Sequence, residues 1–126
     1  MGSRSATELL QLPVQLHGIR LGRPVDLLLD PVEWRVLGFV VLCGDESSRF
    51  LVFAAADLED DAIDVRSALL LLEDVEFYRQ RSRSLRDLLH EQLHDLLVAP
   101  DGSVEALVVE RDEGLREIPP AEVSTA

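Results

Sequence analysis

Apolar residues fall into short blocks separated by polar turns, and two of these blocks repeat along the chain. Residues 26–31 are Asp-Leu-Leu-Leu-Asp-Pro, and residues 95–100 are Asp-Leu-Leu-Val-Ala-Pro. Each block is followed by a turn and a second apolar block, residues 36–41 in the first copy and 104–109 in the second. Short runs rich in Val, Leu and Phe between turns are typical of β-strands. The pattern therefore predicts one β-hairpin used twice.

A third strand completes each copy after a polar loop, and we align the first apolar residues that follow the two loops, Phe50 and Leu115. Residues 100–102, Pro-Asp-Gly, indicate a turn because Pro fixes φ and Gly supplies a positive φ. The strands of the first copy are apolar on both faces. We hypothesise that the two copies bury apolar faces against each other or against a second chain, with residues 69–72 in the seam.

The segment between the copies has the composition of a helix. It is rich in Leu, and Ser67 is a candidate N-cap. Leu69, Leu72, Val75 and Tyr78 would form one apolar stripe along such a helix. We therefore predict a helical connector over residues 67–83.

The repeated segments resemble the PRC-barrel family. That family has an opening strand of the type G-x-x-V, a D-L-L-V-D-P-x-G strand and turn, a V-x-A-L-V-V strand and a final V-P-x-x-x-V step. The corresponding segments here are residues 22–25, 95–102, 104–109 and 118–123.

The resemblance implies a mainly β fold made of two small PRC-barrel-like modules. The first would span residues 9–66 and the second residues 84–123, on either side of the connector. Residues 88–94 are too few for a full opening hairpin, so we expect the second module to be shortened. Members of the family use the barrel for docking and not for catalysis. The resemblance therefore implies a non-catalytic binding module without a cofactor, but it does not name the partner.

Composition narrows the class of partner. The 126 residues include 24 acidic and 12 basic side chains, a formal net charge of -12. Such a surface repels the phosphates of nucleic acids and anionic lipids. No apolar run approaches the ~20 residues that cross a bilayer, and no secretion signal is visible, so we expect a cytoplasmic protein without membrane insertion. Cys43 is the single cysteine and is expected to be a buried, inert thiol.

One segment raises an enzymatic alternative. His90, Glu91 and His94 match H-E-x-x-H, the zinc-protease pattern. That pattern works on a helix, where both imidazoles share one face, but here it runs into the predicted strand that begins at Asp95. A third ligand is also required, and no His follows His94. We therefore expect a chance match, and assign no catalytic, cofactor or metal site.

Three further features have a structural and a functional interpretation. The acidic residues Asp57, Glu59, Asp60, Asp61 and Asp64 could bind a cation, but they lack EF-hand spacing and are expected to form a solvated loop. The basic run Arg79, Arg81, Arg83 and Arg86 could contact an acidic partner, and is expected to be a solvated linker. Trp34 is either an interface anchor or a cover for the end of a barrel.

Together these observations favour an interaction module that binds another protein. Two alternatives remain open. The first is a metal-dependent hydrolase that uses residues 90–94. The second is a self-assembling structural protein, a homo-oligomer whose partner is a second copy of the chain.

Overall fold

Strands dominate the chain, and the mainly β prediction is confirmed. The computed structural model describes residues 2–89 and 93–120. The strands are β1 (Arg4–Ser5), β2 (Val14–Leu16), β3 (Ile19–Asp30), β4 (Arg35–Cys43), β5 (Ser48–Val52), β6 (Asp57–Leu58), β7 (Ile63–Asp64), β8 (Leu71–Leu72), β9 (Arg83–Ser84), β10 (Leu93–Val98), β11 (Val104–Arg111) and β12 (Gly114–Ile118). The helices are α1 (Ala6–Leu9), α2 (Val75–Arg79) and α3 (Leu85–Leu89), and 3-10 turns span Phe53–Ala55 and Ala68–Leu70. None of the described helices is long and apolar enough to span a membrane.

The strands form two sheets. The first sheet has the order β6-β7-β2-β3-β4-β5-β8, and β9 pairs with β3 beside this path. The second sheet has the order β1-β10-β11-β12. Each sheet is centred on one of the two predicted hairpins, β3–β4 in the first sheet and β10–β11 in the second.

The two hairpins share one pairing register. The pairs are Asp26–Val40, Leu27–Phe39, Leu28–Gly38 and Leu29–Val36 in the first sheet, and Asp95–Val108, Leu96–Leu107, Leu97–Ala106 and Val98–Val104 in the second. In both hairpins the last step accommodates one extra residue, which is Leu37 in β4 and Glu105 in β11. This arrangement is a β-bulge at the same position.

The third strands also correspond, but not in the predicted alignment. Ile118 lies opposite Leu107 in the second sheet, as Leu51 lies opposite Phe39 in the first. Ile118 therefore corresponds to Leu51. The alignment on the first apolar residue after each loop is wrong by two residues, because strand register and not the end of the loop decides which side chains face inward.

Two short Arg-Ser strands connect the sheets in a reciprocal exchange. The N-terminal strand β1 pairs with β10, in the second sheet. The later strand β9, which directly precedes the second sheet along the chain, pairs with β3 in the first sheet. Both strands lead directly into a short helix, α1 after β1 and α3 after β9. Each sheet is therefore completed by a segment that lies in sequence beside the other sheet.

One hydrophobic core fills the space between the sheets. Its fully buried members come from the first sheet, the second sheet and the exchanged helices, and include Leu27, Phe39, Leu96, Leu107 and Leu9. The two sheets thus bury apolar faces against each other. The assignment of residues 69–72 to that seam is wrong, because Leu69 is 87% exposed and β8 pairs with β5 at the edge of the first sheet.

The connector differs from the single helix that was predicted. Ser67 is an N-cap, since its side chain accepts a hydrogen bond from the amide of Leu69 at 3.1 Å, but it caps only a 3-10 turn. The chain then becomes extended at Leu71, whose side chain is buried. Pairing with β5 satisfies backbone groups at a sheet edge, and this gain overrides the helical preference of Leu. The α-helical part begins only at Val75.

That helix covers the side of the first sheet that faces away from the core. Leu28, Val40 and Phe50 form a second buried cluster there, together with Val75 of α2. The ring of Phe50 stacks on Tyr78 with centroids 4.0 Å apart. We call the surface formed by Leu28, Val40 and Phe50 the first outer face.

Candidate functional site

A buried carboxylate joins α3 to the first sheet. Asp26 is 5% exposed and is the one buried charged residue among those described. It accepts hydrogen bonds from the hydroxyl of Ser84, from the amide of Arg86 at 3.3 Å and from the amide of Leu27 at 2.8 Å. Arg86 is the second residue of α3, and its amide is one of those that a helix leaves without an internal partner. The carboxylate thus caps the exchanged helix.

Asp95 does the same for α1 in the second sheet. It accepts hydrogen bonds from the hydroxyl of Ser5, from the hydroxyl and amide of Thr7 at 2.8 and 3.1 Å, and from the amide of Leu96 at 2.7 Å. Thr7 is the second residue of α1. The two carboxylates therefore make equivalent contacts. Charged acceptors of this kind form stronger hydrogen bonds than neutral ones.

The hairpin turns of the two sheets also bond directly to each other. The amide of Val36 donates to the carbonyl of Gly102 at 2.7 Å, and the amide of Val104 donates to the carbonyl of Trp34 at 2.8 Å. Gly102 has a φ of 92°, and a Cβ there would lie 3.1 Å from the ring of Phe53. Trp34 is half-buried and packs against the core, so its position agrees with the interpretation that it covers the end of the fold.

A cleft of about 990 Å³ opens beside these bonded turns. The first sheet and its connections supply one wall, residues 35–37, 52–54 and 56–60, and the second sheet supplies the other, residues 98–101. Apolar side chains line much of the cleft, among them Val36, Leu37, Phe53, Ala56 and Val98. Since both sheets and the N-terminal strand contribute, the cleft depends on the exchange that joins them.

Charged groups surround the apolar lining. Arg4 donates to the carbonyl of Glu59 at 2.8 Å, and Arg35 donates to the carbonyl of Asp101 at 2.9 Å. Both arginines line the cleft, as do the carboxylates of Asp57, Glu59, Asp60 and Asp101. Hydrogen bonds from the hydroxyl and amide of Ser103 lower the pKa of Asp101. The cleft thus combines an apolar interior with a mainly acidic rim.

The five residues of the zinc-like segment are only partly described. His94 is exposed and lies on β10, the strand predicted to follow the segment. His90 and Glu91 lie outside the described residues. In the part of the chain that is described, no group of three or more His, Cys, Asp and Glu residues is arranged to hold a metal ion.

The surroundings of the Cys43 thiol disfavour its reaction as a nucleophile. Cys43 is half-buried, and desolvation raises the pKa of its thiol, which disfavours the reactive thiolate.

The acidic cluster lies on the short β6–β7 hairpin. Asp57 and Asp64 lie opposite each other in this pair, and Asp57 forms an ion pair with Arg66 at 3.7 Å. Asp57 thus has a basic neighbour, and the cluster extends along a small hairpin.

The basic run is used within the fold. Arg79 pairs with Glu76 at 3.5 Å, and Arg81 lies 3.9 Å from the centre of the Phe77 ring. Arg83 belongs to β9, and the guanidinium of Arg86 donates to the carbonyl of Val25. These contacts agree with a structural role and not with a free basic surface.

Sequence reasoning missed the groups that build the seam. Arg4, Arg35, Asp26 and Asp95 were not selected as site residues, although Asp26 and Asp95 begin the two repeated blocks. One signal was available: residues 4–10 are Arg-Ser-Ala-Thr-Glu-Leu-Leu, and residues 83–89 are Arg-Ser-Leu-Arg-Asp-Leu-Leu. This second repeat marks the segments that the sheets exchange.

No protein-family model and no curated protein matches the chain.

Proposed function

We propose that the chain is a tandem PRC-barrel-like protein. The two modules would comprise residues 9–66 and 84–123, with residues 67–83 between them. The common register of the two hairpins and the bulge at the same step support this proposal. A shortened second module agrees with the spacing of the elements, since residues 90–92 alone separate α3 from β10, where the first module has β2 and the start of β3.

In this proposal the protein is a non-catalytic module that binds another protein. The cleft between the sheets is the observation that carries it. It combines apolar walls with polar groups at the rim, the arrangement that protein–protein interfaces have. A protein partner is favoured over a nucleic acid because the net charge of -12 repels phosphates.

The experiment fills the cleft without changing the core. Ala54 is exposed and lines the cleft, so Ala54→Trp places an indole in the cleft while the buried residues stay unchanged. Ile19→Trp is the control, because Ile19 is 68% exposed and lies outside the cleft. Proteins that co-purify with each tagged variant from the native source are quantified by mass spectrometry.

We expect one partner to co-purify with the wild type and with Ile19→Trp, and to fall by about tenfold with Ala54→Trp. Equal recovery with all three proteins would contradict a role for the cleft. No specific co-purifying protein would contradict the interaction function itself.

Two measurements on the purified protein test the alternatives. Stoichiometric zinc would favour the metal-dependent hydrolase that uses His90, Glu91 and His94. A defined oligomer in light scattering that dissociates with Ala54→Trp would favour self-assembly. Monomeric, zinc-free protein would agree with a module that binds a different protein.

A further inference from the structure

The second sheet has a face that corresponds to the first outer face. Val108 pairs with Glu117, and Glu110 pairs with Leu115. Because residues directly opposite each other in an antiparallel pair share a face and side chains alternate, these four residues lie on one side. Leu107 lies on the other side, in the core. We call the side formed by Leu97, Ala106, Val108, Glu110, Leu115 and Glu117 the second outer face.

The two outer faces share one strand-pairing register, but their side chains are buried to different extents. Leu28, Val40 and Phe50 are at most 1% exposed, because Val75 and Tyr78 of α2 pack on them. At the corresponding positions of the second sheet, Leu97 and Val108 are half-buried and Glu117 is exposed. Leu115, on the same face, is 55% exposed. Asp95 also lies on this side, where it caps α1, but among the described residues no buried apolar cluster forms here like the one that Val75 of α2 completes on the first sheet.

Charge is segregated between the two sides of the β11–β12 hairpin. Glu110 and Glu117 lie on the second outer face, and the bulge residue Glu105 lies at its margin. Arg111 and Arg116 occupy alternate positions, so they project to the opposite side. The second outer face therefore presents apolar side chains among carboxylates, with no cation from these two strands.

This charge pattern selects the occupant. Two copies of the chain meeting through this face would bring their glutamates together, and like charges at an interface cost free energy. A cationic partner would gain from the same arrangement. The first outer face shows which element fits such a surface: a short helix that places an aliphatic and an aromatic side chain on the sheet.

We propose that the second outer face docks a short amphipathic helix of a partner protein. The apolar side of that helix packs on Leu97, Val108 and Leu115, and its Lys or Arg residues pair with Glu105, Glu110 and Glu117. This proposal rests on the proposed function only in requiring a protein partner, and it concerns a surface separate from the cleft.

A photocrosslinker tests the surface in the full chain. Leu115→p-benzoylphenylalanine keeps an apolar group at an exposed position of the face, and Ile19→p-benzoylphenylalanine is the control at a distant exposed position. After irradiation in cells of the native source, the crosslinked peptide is identified by mass spectrometry. We expect position 115, and not position 19, to capture one segment that is amphipathic with helical spacing and carries a net positive charge.

Other results would overturn the proposal. They are an adduct to a second copy of this chain, an adduct to an acidic or extended segment, equal adducts at both positions, and no adduct at position 115. If Ala54→Trp still removes a co-purifying partner while position 115 captures nothing, the proposed function stands and the docking helix is wrong.

The captured segment is then made as a peptide and titrated against purified protein. We expect the combined Glu110→Lys and Glu117→Lys substitution to raise the dissociation constant at least about tenfold, and added salt to raise it for the wild type. Arg116→Glu, on the opposite side of the same strand, is the matched control and should not weaken binding. Unchanged affinity in the lysine variant, with a preserved circular dichroism spectrum, would contradict the charge pairing.

Discussion

The two hairpins are alike in backbone and different in environment. Their pairs and bulges match step by step, yet among the described residues the first hairpin belongs to a buried cluster on both sides and the second on one. The side chains differ accordingly: Phe50 lies beneath α2 in the first sheet, and Glu117 occupies the corresponding, exposed position of the second sheet. Backbone pairing thus specifies where side chains point, and the neighbouring elements decide whether those side chains can be apolar.

The two carboxylate caps differ in the same way. Asp26 and Asp95 each accept bonds from a serine hydroxyl and from the second amide of an exchanged helix. Asp26 is buried, whereas Asp95 is only half-buried. Water can replace a lost partner at Asp95 more readily than at Asp26. Removing the same contacts should therefore cost less free energy of unfolding at Asp95 than at Asp26.

Truncating the aromatic residue beneath α2 should have the largest effect on stability. Phe50→Ala removes a fully buried ring and its stacking on Tyr78, and we expect a loss of about 4 kcal/mol in the free energy of unfolding. Glu117→Ala, at the corresponding exposed position, should change it by less than about 0.5 kcal/mol. Urea denaturation followed by circular dichroism measures both. Similar losses would show that the second outer face is as well covered as the first.

Removing the caps should give the next largest difference. Asp26→Ala leaves the hydroxyl of Ser84 and the amides of Leu27 and Arg86 without their acceptor, and we expect a loss of about 3 kcal/mol. Asp95→Ala should cost about half as much, because water reaches that site.

A double-mutant cycle separates the Asp26–Ser84 bond from general disruption. If the bond matters, Ser84→Ala should cost much less in the Asp26→Ala background than in the wild type. Additive losses, or equal losses for Asp26→Ala and Asp95→Ala in urea denaturation, would remove the basis for distinguishing the two caps.

The repeated strand blocks were readable from sequence because apolar runs and the Pro100 turn carry local signals. The exchange of β1 and β9 was not. A two-residue strand has no periodicity, and its partner lies far away in the chain: Ser5 and Asp95 are 90 residues apart. The cleft could not be predicted for the same reason, because it is the pairing of β1 with the second sheet that places Arg4 in its lining.

The connector was misread where local preference and tertiary pairing compete. Leu69, Leu71 and Leu72 suit a helix, but the open edge of β5 offers backbone partners and a buried position for Leu71. Nothing in residues 67–72 alone distinguishes these outcomes. Val75, which begins α2, does pack as the predicted apolar stripe requires, because it faces Leu28, Val40 and Phe50.

Gly38 and Ala106 occupy the same register position in the two hairpins, Gly38 opposite Leu28 and Ala106 opposite Leu97. A Cβ on Gly38 would lie 2.1 Å from the carbonyl oxygen of Leu51 and 2.7 Å from the ring of Phe50, so we expect Gly38→Ala to cost about 2 kcal/mol. Ala106→Gly should cost at most about 1 kcal/mol, through chain entropy alone. Thermal unfolding followed by calorimetry ranks the two. A neutral Gly38→Ala would mean that β4 and β5 separate more easily than the covered face suggests.

The smallest expected effect concerns two similar turns, one at the seam and one away from it. Asp101 accepts bonds from Ser103, and Asp45 accepts bonds from Ser47, and these bonds lower the pKa of both carboxyl groups below 3.8. Because the folded-state pKa is depressed, each ionised group stabilises its turn above the ordinary aspartate pKa, and that stability is lost as the pH falls through the lower folded value. The carbonyl of Gly102, in the Asp101 turn, also accepts a hydrogen bond from the amide of Val36, whereas the Asp45 turn does not reach the second sheet.

We therefore expect the amide signal of Val36 to follow the titration of Asp101 in an NMR pH series. The response should disappear in Asp101→Asn and remain in Asp45→Asn. A midpoint above 3.8 for Asp101, or a Val36 response that survives Asp101→Asn, would show that this turn does not couple the sheets.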